Sequence, residues 1–235
     1  QDYSLATYGA AVSYDERFEV SLARQDFDAK DNLKPLGLTA LKLKQDIVGA
    51  KLRVAGDAVL DSDTWMPQIA IGLLHKRSDA AGLSSTLYGP LGARKSGTEF
   101  YVSATKLFLA ESILVNGTLR YTKANQNGLL GFGSAAPGRD SYSLQPEFSV
   151  AYLLRKDLAV GMEYRFKPNN LESLGRAAGL GDALREDDWK DLFIAWAPSK
   201  NLSLTLAYLD LGRIVPGVTN NRKQKGAYLS AQLAF

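Results

Sequence analysis

At 235 residues, 46% hydrophobic and 23% charged, the chain can bury one sizeable domain and is too apolar for a disordered segment. Its 28 basic and 25 acidic residues leave a net charge of +3, too balanced for a nucleic-acid partner. There is no cysteine, so disulfides, thiolate metal sites and cysteine nucleophiles are excluded, and no run approaches the roughly 18 consecutive apolar residues of a transmembrane helix.

The start, Gln1-Asp2-Tyr3, carries neither an initiator methionine nor a basic and apolar leader, and reads as a processed or internal end. From there the pattern has period two. Tyr8, Ala10, Val12 and Tyr14 alternate with Thr7, Gly9, Ala11 and Ser13; after a turn at Asp15-Glu16-Arg17, Phe18, Val20 and Leu22 alternate with Glu19, Ser21 and Ala23. A polar loop, residues 28–35, leads to a strand from Lys42 to Val59, in which Val48, Ala50, Leu52 and Val54 oppose Ile47, Gly49, Lys51 and Arg53. A turn at Asp61-Ser62-Asp63 precedes Ile69, Ile71 and Leu73, and this strand is expected to fade at His75-Lys76-Arg77-Ser78-Asp79 into a long loop reaching Gly97.

In the strand from Thr98 to Leu109, Lys106 falls on the face of Phe100, Val102 and Phe108, which predicts a bulge or a lysine at an interface. After the turn Ala110-Glu111-Ser112, Ile113, Val115, Gly117, Leu119 and Tyr121 oppose Asn116, Thr118, Arg120 and Thr122. A glycine-rich loop, Asn125 to Arg139, closes that pair. Leu144, Phe148, Val150 and Tyr152 then alternate with Ser143, Gln145, Glu147 and Ser149, and across Arg155-Lys156-Asp157 the partner strand sets Leu158, Val160, Met162, Tyr164 and Phe166 against Gly161, Glu163, Arg165 and Lys167. A loop to Asp188, with helical spacing over Leu171 to Leu184, leads to Leu192, Ile194 and Trp196; beyond Ser199-Lys200-Asn201 come Leu202, Leu204, Leu206 and Tyr208. The last strand sets Ala227, Leu229, Ala231, Leu233 and Phe235 against Tyr228, Ser230 and Gln232.

Short turns recur every 45 residues or so, each interval holding two strands of about ten residues and one long connection. Aromatic residues gather at both strand ends: Tyr14, Phe18, Trp65, Phe108, Tyr152, Trp196 and Phe235 near the short turns, and Tyr121, Tyr142, Phe166 and Trp189 near the long loops. Short turns at one end, long loops at the other and two aromatic girdles predict an all-β, antiparallel, transmembrane up-and-down barrel of the outer-membrane type, as a single domain. A soluble barrel or sandwich is the alternative. The count is about eleven strands, whereas such bacterial barrels usually have even numbers, so a barrel of about twelve is expected, its further strand placed most simply before Gln1; a ten-stranded wall that omits the first segment is the other solution.

Several runs resemble a domain-of-unknown-function family of Gram-negative outer-membrane β-barrel proteins: Phe100 to Lys106, Asn116 to Arg120, Thr122 to Gln126, Gly128 to Gly133, Glu186-Asp187-Asp188, and Gln45-Asp46 with Val54 to Val59. The similarity covers nearly the whole chain. It implies a barrel and an outer-membrane location, with additional sequence before the equivalent of Gln1, and brings no catalytic or ligand residues. The phenol meta-pathway outer-membrane channels are a distant architectural analogue, a comparison of fold alone.

Four groups of residues are candidates for function. Lys51, Arg53, Arg120, Glu147, Glu163 and Arg165 lie opposite the aliphatic face and are expected to line the lumen, as ion-pair networks setting pore width or as simple filling. Leu129, Leu130, Phe132, Leu174 and Leu180 make the long loops unusually apolar, which suits a gate or binding pocket, or plain loop packing. Tyr14, Trp65, Tyr152, Trp196 and Phe235 are assigned to the membrane girdle, and a terminal Phe235 resembles the signal read by barrel-assembly machinery. His75 with Ser78 and Asp79 is a weak hydrolase candidate, because near-consecutive strand positions do not converge into a triad. Asp61 and Asp63, and Glu186, Asp187 and Asp188, read as solvated turns or surface contacts for divalent ions; Gly131 to Gly133 lacks the strand-to-helix setting of a phosphate loop. No enzyme activity, cofactor or metal is expected. The expected function is a passive, porin-like channel for small apolar or amphipathic solutes, with membrane lipid and lipopolysaccharide as partners; the alternative is a non-conducting, plugged barrel that serves a structural or partner-binding role.

Overall fold

The computed structural model describes residues 3–30, 41–57, 65–217 and 221–235. Eleven strands follow one another: β1 (Ser4–Tyr14), β2 (Phe18–Asp28), β3 (Lys42–Ala55), β4 (Gln68–Asp79), β5 (Ser96–Phe108), β6 (Ile113–Thr122), β7 (Ser143–Arg155), β8 (Leu158–Arg165), β9 (Trp189–Ser199), β10 (Leu202–Arg213) and β11 (Lys223–Leu233). Their order in the sheet is their order in the chain, every neighbouring pair is antiparallel, and the sheet curls into a half-barrel. Two short helices lie in the long connections, α1 (Ser84–Leu87) and α2 (Glu172–Ala177). No helix among the described residues is long and apolar enough to cross a membrane.

Register converts the alternating sequence into two chemically distinct faces. One outer rung runs Tyr14, Phe18, Leu52, Ile71, Val102, Leu119 across β1 to β6, and another runs Tyr152, Val160, Ile194, Leu206, Leu229 across β7 to β11. These residues are largely exposed, whereas the most completely buried side chains are Phe132, Gln45, Glu99, Asn125, Asn170 and Thr122, five of them polar. A water-soluble domain reverses this distribution, because apolar burial is what drives its folding. Apolar outside and polar inside is the arrangement of a membrane barrel wall.

The short turns take the expected places. Arg17 N donates to Tyr14 O at 3.1 Å across a turn in which Asp15 and Glu16 have φ of 51° and 50°. Lys156-Asp157 and Lys200-Asn201 connect the later pairs, while the turn expected at Asp61-Ser62-Asp63 lies outside the described residues. Two strand readings change. β4 continues through Asp79 instead of fading at His75, because pairing with β3 extends to Lys44–Asp79 and keeps Lys76 and Ser78 inward. Pairing of β5 with β6 is continuous, so Lys106 occupies no bulge and faces outward beside Val115 near the short-turn end.

Gly72 shows how the inner wall is filled: a Cβ there would lie 2.4 Å from the Tyr101 ring, which covers this glycine from the neighbouring strand. β1 and β11 are the edges of the described sheet. With eleven strands in up-and-down order they run in the same direction, so they cannot pair antiparallel with each other.

Candidate functional site

The connection between β6 and β7 does not project away from the sheet but enters its concave side. Gln126, Asn127 and Gly128 have φ of 45°, 58° and 99°, and these consecutive left-handed residues make a sharp tip. Gly128 is required there twice over, because a Cβ would also lie 2.4 Å from Gln45 Nε2. The arms of the loop are joined by a bridge between Ala124 and Phe132, and by Asn125 Nδ2, which donates to Gly133 O at 2.8 Å. Phe132 is wholly buried, its ring where a Gly97 Cβ would be, and it bridges to Arg94 in the preceding long connection.

Three inward side chains of the wall, Gln45, Lys76 and Arg120, bond the tip directly, Gln45 Nε2 donating to Asn127 O at 3.4 Å. Lys76 Nζ donates to Asn127 O and to Asn127 Oδ1, each at 3.2 Å; Arg120 Nη1 donates to the same Oδ1 at 3.0 Å. Glu99, wholly buried, pairs with Lys76 and, at 3.2 Å, with Arg120 Nη1, and accepts from Thr122 Oγ1. Arg120 Nη2 continues to Glu147 Oε1 at 2.7 Å, which Arg165 Nε reaches at 2.9 Å. Charges of alternating sign thus cross β4 to β8 in one chain of contacts. Such a chain is tolerable out of water only because each ion has an opposite neighbour.

A second layer holds the loop from the other side. Glu186 Oε1 accepts from Gln126 N at 2.9 Å, and Glu186 Oε2 lies 3.4 Å from Lys167 Nζ, itself 3.9 Å above the Trp189 ring. Burial pushes the Lys167 ammonium down to about 8, with Glu186 opposing the shift. Asn170 Nδ2 donates to Lys123 O and Asn125 Oδ1. The Lys123 ammonium, with Arg94 beside it, holds the Asp140 carboxyl below the usual carboxylate range.

The six charged residues expected on the inner face all have inward parity but divide between settings. Arg120, Glu147 and Arg165 belong to the buried chain; Lys51 pairs with Glu19 at 3.1 Å nearer the short turns, where Arg53 also lies; Glu163 stands opposite Asp191 on β9. The loop residues divide as well. Leu129 and Leu130 pack with Leu41, Leu43, Ala80 and Leu87, and Phe132 is buried nearby, but Leu174 is half-buried and Leu180 is 55% exposed, so these two are not part of that apolar cluster. The helical spacing over Leu171 to Leu184 yields only the short α2. Tyr14, Tyr152 and Trp196 are on outer rungs, Trp65 and Phe235 are exposed, and Trp189 is turned inward rather than into a girdle.

His75 faces outward, its Nδ1 3.0 Å from Thr98 Oγ1, while Ser78 faces inward and donates to Leu129 O at 2.7 Å; the two diverge and form no triad. Glu186, Asp187 and Asp188 are structural ligands of protein groups rather than solvated: Asp187 pairs with Arg213 at 2.9 Å and Asp188 accepts from Tyr164 OH at 2.9 Å. No cluster of potential metal ligands occurs among the described residues, and Asp61 and Asp63 lie outside them. The sequence reading missed Lys76, Glu99, Gln45 and Asn127. Parity alone would have placed Glu99 on the face of Tyr101 and Ser103, but ending β4 early hid Lys76.

Beside the loop, an open cavity of about 600 Å³ remains on the inner face. Its lining mixes charged residues, Glu147, Glu163, Arg165 and Asp191, with apolar ones, Leu5, Phe193, Leu209, Leu211 and Tyr228.

Among solved structures, the chain is similar to the outer membrane phospholipase dimer of Salmonella typhi with bound calcium (TM-score 0.47, 8% identity, covering 99% of this chain and 78% of that one). It is likewise similar to outer membrane phospholipase A of Escherichia coli (TM-score 0.47, 9% identity, covering 99% and 83%). Neither is a phenol-pathway channel, and that analogy gains nothing from them. No curated protein sequence matches the chain. Residues 1–232 match the family described as a protein of unknown function, DUF3034, and the chain belongs to that family.

Proposed function

We propose that this protein is a β-barrel of the Gram-negative outer membrane that passes small amphipathic solutes passively along the part of its inner face left free by the β6–β7 loop. The observation that carries the reading is the inversion of polarity across the wall, apolar rungs outward and ion pairs inward, together with the cavity of about 600 Å³ that the loop does not fill. The lining of that cavity includes both charged and apolar side chains, which suits a solute with both characters. A conducting barrel needs its two edges joined, and one strand antiparallel to both β1 and β11 would do so. Planar-bilayer recording is the direct test. Small unitary conductances support the channel; a silent bilayer, with no solute uptake into liposomes holding the folded protein, rejects it.

A second reading, a sealed barrel with a structural role, is favoured by one observation: Asn127 is held by Lys76 and Arg120 within the concave side. It predicts silence in the same recording, and silence that persists when those contacts are removed.

A further inference from the structure

We propose a binding site for a lipid phosphomonoester headgroup on the outer face of β2 to β4, at the long-loop ends of those strands. A pocket of about 350 Å³ there is lined by Arg24, Lys44, Arg77 and Lys95, with the neutral Ser78, Ser84 and Tyr88, the Tyr88 hydroxyl donating to Ser78 O at 3.3 Å. The register fixes its height. Arg24, Asp46, Arg77 and Ser96 form an outward rung, with Leu22, Val48, His75 and Thr98 immediately beneath and Val20, Ala50, Leu73 and Phe100 below those. Two residues of strand separate successive outward rungs, about 7 Å, so cations sit one step above the apolar surface. A headgroup bound by them has its acyl chains over Leu22, Val48, Leu73 and Phe100.

Charge bookkeeping within the pocket favours an anion. Of its two carboxylates, Asp46 is bonded by Arg24 Nε at 2.6 Å and Asp79 accepts from Ala81 N at 3.1 Å. Lys44, Arg77 and Lys95 make no direct ion pair among the described residues, and Lys95 Nζ stands 5.4 Å over the Tyr88 ring. Four cations against two occupied carboxylates match a phosphomonoester and not a zwitterionic phosphodiester. In register, Leu22 and Val48 lie one outward step below these cations and Val20, Leu73 and Phe100 two steps below, and this apolar surface next to the pocket favours a lipid over free phosphate. The site rests on the membrane location proposed above and is independent of conduction.

The test uses the protein folded in phosphatidylcholine nanodiscs, titrated calorimetrically with dihexanoyl phosphatidic acid, dihexanoyl phosphatidylcholine and inorganic phosphate. Phosphatidic acid should bind, phosphatidylcholine should not, and Arg77→Gln with Lys95→Gln should weaken binding by about tenfold or more, as loss of charge-assisted contacts implies. Lys95→Gln alone, outside the strands, gives the same direction if the pair fails to fold; Lys190→Gln on β9 should leave binding unchanged. Equal binding by the variants, equal binding of phosphatidylcholine, free phosphate binding as tightly as the lipid, or loss of binding with a chelator would each overturn the proposal. Failure to insert into phosphatidylcholine bilayers overturns the membrane reading instead, and this site with it.

Discussion

Lys76 and Asn127 are joined twice, through the backbone carbonyl and the side-chain oxygen of Asn127, and this pair ties the tip of the β6–β7 loop to the inner wall. Asn127 is suited to both halves of its task, since a short amide side chain tolerates a left-handed backbone and supplies an acceptor to Lys76 and Arg120. Asn127→Gly keeps the backbone accessible and deletes the acceptor. It should destabilise the seated loop by about 1–3 kcal/mol and raise open-state noise or conductance in bilayers, with the rest of the barrel intact. Unchanged conductance and unchanged proteolysis of residues 123–142 would count against a seated loop that restricts the path.

Glu99 carries more of the network than its single charge suggests, because it is the shared anion of Lys76 and Arg120. Glu99→Gln leaves two buried cations short of a partner and is expected to cost about 3–5 kcal/mol in unfolding by urea. Lys76→Met with Glu99→Gln removes one ion of each sign and should recover a large part of that loss. If the double variant is no better than the single one, the ions are not coupled as described.

How much of this was legible in the sequence follows from what period two can encode. Alternation located the strands and the outward faces, since Tyr14, Val102 or Leu229 needs only its parity to be placed. It could not show where a loop goes. The entry of Asn127 depends on Gly97 being bare under the Phe132 ring and on Gln45 lying beneath Gly128, contacts between positions far apart in the chain with no periodic signature. Trp189 is a different case: assigned to a girdle as an aromatic at a strand end, it has the parity of Asp191 and Phe193 and turns inward to meet Lys167, so alternation was the better guide there. Leu180, apolar in a long loop, simply remained exposed.

Gly97→Ala tests the seating of the loop without altering any charge. An added Cβ would lie 2.4 Å from Phe132 Cδ1, so the ring and the loop behind it must move. Overpacking of this kind costs about 1–3 kcal/mol and should appear as faster amide exchange at Ala124, Phe132 and Gly133, with β8 to β11 unaffected. Exchange unchanged at those three amides would show the contact to be loose.

Lys167 should give the loop a pH dependence above neutrality. Its ammonium is lowered by burial from 10.5 to about 8, so between those values the folded protein has released a proton that the unfolded chain still holds. The unfolded state then binds more protons, and this group's contribution to stability rises with pH from about 8 toward 10.5, the penalty of the buried charge being fully present below 8. Because Lys167 Nζ lies 3.9 Å over the Trp189 ring, the same titration should alter tryptophan fluorescence with a midpoint near 8. Lys167→Met should abolish that step; a step that survives the substitution belongs to another group.

The open side of the inner face should prefer cations. Glu147 is already shared by Arg120 and Arg165, whereas Glu163 and Asp191 stand opposite each other in register on β8 and β9, both lining the cavity, with neither in a direct ion pair among the described residues. Two carboxylates on one wall attract cations and repel anions more strongly in a narrow, poorly solvated path than in bulk water, since the interaction scales inversely with dielectric constant. Glu163→Gln with Asp191→Asn removes both charges while keeping shape and hydrogen-bonding capacity. Reversal potentials in a salt gradient should move toward zero selectivity, a change of about threefold or more in the cation-to-anion permeability ratio. The paired control is Lys51→Gln with Glu19→Gln, which removes one charge of each sign near the short turns and should leave the ratio within error. If the control shifts selectivity and the Glu163 and Asp191 variant does not, ions follow the β2–β3 side of the wall, and the path proposed along β8 and β9 is wrong.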